Sequence, residues 1–136
     1  MRFIFRIFSL LLFFNLLFTS CKKEVFNDDP AARLQFSVDT LYFDTVFTSL
    51  GSVTKRFLVY NRGDQAVKVG KISLAGGSNS PYRLNIDGIP GDIAANVEIE
   101  ANDSIYIFAE VTIDPNNQLN PFVVHDSVRF ELNGNF

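Results

Sequence analysis

A single cysteine, Cys21, and a single histidine, His125, limit what this chain can coordinate or catalyse. One cysteine excludes an intrachain disulfide, and one histidine without a second thiolate excludes the usual zinc sets of Cys and His ligands. His125 has no partner placed beside it by sequence and reads as an ordinary residue at the start of a strand. No serine sits in a Gly-x-Ser-x-Gly elbow, where a strained turn would present the hydroxyl to a base. Gly76-Gly77 lacks the lysine and the helix that a phosphate-cradling loop requires. Asp87, Asp92 and Asp114 carry oxygens suited to calcium, but without the spacing of a binding loop, so they read as turn residues. The expectation is a chain with no catalytic residues, metal site or cofactor.

One chemical pattern does recur. Asp39-Thr40-Leu41, Asp44-Thr45-Val46, Asp103-Ser104-Ile105 and Asp126-Ser127-Val128 each place an aspartate before a hydroxyl residue and an apolar one. Such pairs introduce strands, because both side chains can bond the neighbouring backbone and close the turn. The triplet also resembles the O-glycan acceptor motif of some Gram-negative envelope proteins. That resemblance makes Thr40, Thr45, Ser104 and Ser127 candidate O-glycosylation sites.

The segments that carry these residues differ sharply in composition. Residues 1–20 begin with Arg2 and Arg6, continue through an apolar run over residues 7–18, and end in Thr19-Ser20, the order of a secretory signal peptide. The run is shorter than the roughly 20 apolar residues that crossing a bilayer requires. Leu17-Phe18-Thr19-Ser20-Cys21 resembles a bacterial lipoprotein box, in which the cysteine is lipidated and the chain is cut just before it. Phe18 stands where that box usually has an aliphatic residue. The resemblance implies acyl chains such as palmitate on Cys21, a membrane partner held through the lipid anchor, and a cell-envelope location. The outer membrane, on its periplasmic or surface face, is the expected site. Residues 21–33 are charged and lack apolar periodicity, the composition of a flexible tether.

Of 136 residues, 47% are apolar and 20% charged, which suits a folded globule and excludes disorder throughout. Net charge is −3, and the portion after Arg2 and Arg6 is more acidic still, so nucleic acid is an unfavourable partner. From Leu34 to Phe136 the dominant period is two and no helical stripe is sustained. Ile105, Ile107, Ala109, Val111 and Ile113 alternate with Ser104, Tyr106, Phe108, Glu110 and Thr112; the aromatic content of the second set predicts a central strand. Val128, Phe130 and Leu132 form a strand with one wet face, and Phe57 and Val59 another. Val67 and Val69 fall out of phase with Ile72 and Leu74, which predicts a bulge at Gly70, where glycine would tolerate the backbone angles. Residues 61–64, 75–80 and 87–92 read as connections. About seven short strands with turns every ten residues or so predict an all-β antiparallel sandwich.

Leu41-Tyr42-Phe43-Asp44-Thr45-Val46, Gly51, Phe57-Leu58-Val59-Tyr60-Asn61, Ser80-Pro81-Tyr82-Arg83-Leu84, the run from Ile105 to Pro115 and the strand from Asp126 resemble immunoglobulin-like domains of the abnormal-spindle and hydin type. These are related in fold to major sperm protein and pilus-chaperone domains. The resemblance spans residues 34–135 and implies an immunoglobulin-like β-sandwich, with little said about activity. Arg62-Gly63-Asp64 is a tripeptide that some adhesive proteins display, but the family pattern itself calls for this kind of turn. In that pattern the strand equivalent to residues 126–132 is followed by a turn and a last strand. Here Asn133-Gly134 supplies the turn and the sequence stops two residues later, so the expectation is a sandwich lacking its last strand. An open edge would suit a protein partner at the C-terminal strand.

Two functions follow as expectations. The first is a non-catalytic structural or protein-interaction module tethered at the envelope. The alternative is the N-terminal accessory domain of a larger envelope enzyme or glycan-binding β-helix protein. A glycan site stacked on Tyr42, Tyr60, Tyr82 or Tyr106 is a further reading, although strand tyrosines usually pack as amphipathic residues.

Overall fold

The structure, a computed structural model, describes residues 25–45, 51–113 and 123–135. Among the described residues there are eight strands: β1 (Gln35–Phe36), β2 (Lys55–Tyr60), β3 (Val67–Leu74), β4 (Tyr82–Ile86), β5 (Ile89–Gly91), β6 (Ile93–Ile99), β7 (Ser104–Val111) and β8 (Val128–Leu132). They form two antiparallel sheets, ordered β1-β2-β7-β4-β5 and β6-β3-β8. The all-β antiparallel sandwich expected from the alternation is therefore present.

β7 lies at the centre of the larger sheet and shows why the pattern folds this way. Ile105, Ile107, Ala109 and Val111 are buried, while Tyr106 and Glu110 are exposed. Register places Phe57 of β2 and Ile86 of β4 on either side of Ile107, so one row of inward side chains crosses three strands. Val69, Ile72 and Ile99 meet this row from the smaller sheet. Fully burying an aliphatic side chain of this size contributes about 1.5–3 kcal/mol, and Ile72, Ile86, Ile99, Ile107, Val59, Val69 and Val111 are all fully buried.

The phase slip in β3 is real, and all four side chains reach the core. Against β8 the register shifts between Val69↔Leu132 and Lys71↔Glu131, one extra residue on β3. The expected cause is corrected, however. Gly70 does not adopt a positive φ; the left-handed residue is Asn96 (φ 53), which stands across from Gly70 in β6. β6 slips in step, burying Ala94, Val97 and Ile99, so β3 and β6 keep their pairing through the kink.

A second correction concerns residues 87–92, expected as one connection. They contain β5, because Asp87 (φ 49) and Gly88 (φ 86) make a two-residue hairpin turn that folds Ile89–Gly91 back on β4. Pro90 is tolerated there since β5 is an edge strand, where a missing N–H costs no ladder bond. This short strand and the two-residue β1 raise the count from about seven to eight.

Candidate interaction site

One end of the sandwich is closed by side-chain amides. Asn61, 2% exposed, leaves β2 as the chain crosses to the other sheet. Its Nδ2 donates toward the carbonyls of Gln65 (2.8 Å), Ile99 (3.1 Å) and Glu100 (2.9 Å), and its Oδ1 accepts from the Gly63 N–H (3.0 Å). One residue thus ties the β2–β3 connection to the β6–β7 connection. Nearby, the Asn133-Gly134 turn forms as expected, with φ of 50 and 80, and Leu132 and Asn135 exchange two backbone bonds of 2.9 Å.

Of the residues expected as a tether, 25–33 are described, and part of this segment lies against the closed end. The Asn27 N–H donates to the Ala66 carbonyl (2.8 Å). Asn133 Nδ2 donates to the carbonyls of Asn27 and Asp29, and Asn135 Nδ2 to that of Pro30. Lys68 Nζ lies 4.5 Å from the Phe26 ring centroid and 2.7 Å from Glu98 Oε1.

The opposite end is open among the described residues. A cleft of about 1510 Å³ lies between residues 36–45 and 123–130, and Phe36, Leu41, Phe43, Tyr82, Val128 and Phe130 are among the apolar and aromatic residues that line it. Residues 38–45 contain no strand, yet Leu41 and Phe43 are half-buried against the core while Tyr42 between them is exposed. Phe43 meets Tyr82 at 5.7 Å between ring centroids, and Phe36 meets Phe130 at 4.9 Å. The Tyr82 hydroxyl donates to the Val124 carbonyl (2.9 Å). Burial, helped by the negative charge of Asp126, raises the pKa of Tyr82 above the usual phenol value.

Of the residues singled out from sequence, Thr40, Tyr42, Thr45, Tyr82, His125 and Ser127 lie together along the cleft, whereas Tyr60, Asp87, Asp92, Ser104 and Tyr106 lie elsewhere. Cys21 and Asp114 lie outside the described residues. Asp126 Oδ1 accepts the Ser127 N–H, Asp103 Oδ1 that of Ser104, and Asp44 Oδ1 that of Thr45, at 2.7, 2.7 and 2.8 Å. Three of the four repeated triplets therefore share one local contact, and after Asp103 and Asp126 it stands at the start of a strand, β7 and β8. Thr40, Thr45 and Ser127 are exposed toward the open end, whereas Ser104 is half-buried in β7 opposite Tyr60. His125 is exposed at the cleft rim. Asp87 and Asp92 flank β5 as turn residues, and among the described residues no three His, Cys, Asp or Glu side chains gather.

Of the tyrosines, Tyr82 lines the cleft and Tyr42, largely exposed, stands at its rim. Tyr60 and Tyr106 lie on the outer face of the larger sheet, covered by Arg62 (4.2 Å from the ring centroid) and Arg56 (5.2 Å) respectively. With a guanidinium over each ring, these two do not form a bare stacking platform.

Sequence reasoning missed Asn61 as the fastener of the closed end, although Asn61 was noted as a turn residue. It also missed the cleft, whose walls come from segments about eighty residues apart. No protein-family model, curated protein or solved structure matches the chain.

Proposed function

We propose that this chain is a lipid-tethered module of the bacterial cell envelope that works by contact rather than by catalysis. The tether is supported by the leader and by Cys21, the sole cysteine, placed directly after the apolar run. The contact role is supported chiefly by one observation, the apolar cleft beside β8, a border strand of the smaller sheet. Concave surface lined by apolar and aromatic side chains, with a few polar groups among them, is the usual form of a binding site.

Growth of a bacterial host expressing the chain with radiolabelled palmitate tests the tether. Label is expected on the wild-type protein and is expected to vanish in Cys21→Ser; an unlabelled wild-type chain sinks this part of the reading.

A further inference from the structure

The segment that leads from the leader into the sandwich is fastened where it crosses the closed end. Both main-chain groups of Asn27 are bonded, the N–H to the Ala66 carbonyl and the carbonyl to Asn133 Nδ2. Asn133 also holds the carbonyl of Asp29, and Asn135 that of Pro30. Within the segment, Asn27 Oδ1 accepts the Asp29 N–H (2.8 Å) and Asp29 Oδ1 accepts the Ala31 N–H (2.7 Å), so side chains close two tight turns. The chain then enters β1, whose Gln35 pairs with Tyr60 at the same end of β2. A free tether over residues 21–33 would reach about 45 Å, but the stretch from Cys21 to the first fastened residue, Asn27, reaches at most about 21 Å. The cleft stands a strand length further off, since β3 and β7, eight residues each, run between the two ends and span about 26 Å.

We propose that the fastened segment holds the closed end of the sandwich against the lipid headgroups and turns the cleft away from the bilayer. The inference rests on the reading of Cys21 as the lipid anchor. With acyl chains of Cys21 in the membrane, the short span to Asn27 keeps the Asn61 end close to the surface, while the cleft end is free to stand off by the length of the strands. Asp28, Asp29 and Asp64 are exposed at the closed end, and carboxylates are costly in hydrocarbon, so this end rests among headgroups and water without inserting. The cleft then opens to the aqueous side, where a binding partner reaches it without meeting lipid.

The test is energy transfer from a dye on the full lipidated chain to an acceptor on the headgroups of phosphatidylethanolamine–phosphatidylglycerol vesicles. A lipidated Cys21 has no free thiol and the chain has no other cysteine, so one dye can be placed by Asp64→Cys at the closed end or by Tyr42→Cys at the open end, both exposed positions. Palmitate label on the same preparations shows that the anchor is present. The closed-end dye is expected to sit nearer the bilayer than the open-end dye by roughly 15–25 Å, up to the length of an eight-residue strand. A glycine-serine insert of about fifteen residues between Lys23 and Glu24, outside the fastened segment, adds about 20 Å of coil and should cut that difference to less than half. Equal distances in the palmitate-labelled protein would mean that the sandwich lies on its side or tumbles, and would overturn the proposal. So would a difference that the insert leaves unchanged, because the short span would then not be its cause. Absence of palmitate label would overturn the anchor and this inference with it, an outcome distinct from equal distances in a labelled protein.

Discussion

The two ends of the sandwich face the same problem, a chain that must cross between sheets, and they meet it in opposite ways. At the closed end, amide side chains of Asn61, Asn133 and Asn135 bind main-chain carbonyls of segments far away in sequence. At the open end, aromatic packing of Phe43 on Tyr82 and Phe36 on Phe130 props the sheets while a cleft persists between them. Amide bonding fixes one arrangement, since a buried carbonyl stripped of its donor is costly; aromatic packing tolerates a gap. Resistance to local opening should accordingly be concentrated at the Asn61 end, and adaptability at the cleft.

The largest expected effect breaks the closed end directly. Asn61→Ala leaves the Ile99, Glu100 and Gln65 carbonyls short of a donor and should lower the unfolding free energy by about 3 kcal/mol. Urea titration should show this as a lower midpoint at unchanged slope. Asn133→Ala should cost less, about 1–2 kcal/mol, through two lost bonds and a positive φ that alanine adopts poorly. Its signature should be faster hydrogen exchange at the Asn27 amide, with the core strands less affected; uniform acceleration would mean that the two ends are not separately stabilised.

The smallest effect sharpens the contrast at the open end. Because the Tyr82 pKa is raised on folding, the stability linked to its neutral hydroxyl is fully present below about pH 10, where the unfolded phenol titrates. It is lost as pH climbs through the higher folded value. Tyr82→Phe should flatten that part of the alkaline decline in the urea midpoint, and an identical decline in both proteins would show that Tyr82 contributes nothing to it.

Strands whose apolar residues alternate cleanly were legible before the structure. β2, β7 and β8 fall where Phe57, Ile105 and Val128 begin their patterns, because period two is a local signal that burial on one face enforces. The slip at Gly70 was legible in place but not in cause, since the unusual torsion belongs to Asn96 on another strand. β5 was hidden because Pro90 and Gly91 look like a loop; only its position on a sheet border makes that composition acceptable. Asn61 and the cleft were illegible for one shared reason. The amide bonds partners thirty-eight and thirty-nine residues away, and the cleft joins residues 36–45 to 123–130, separations on which no local pattern reports.

The paired kink of β3 and β6 has a consequence for solubility. β6 is the other border of the smaller sheet, seven residues long with Ile93 half exposed, a shape that would ordinarily template growth into insoluble fibres. Asn96, in its left-handed conformation, turns the outward row of donors and acceptors partway along, and the Lys68–Glu98 pair adds charge beside it. The irregularity that seats Val97 and Ile99 in the core thereby interrupts β6 as a nucleus for aggregation.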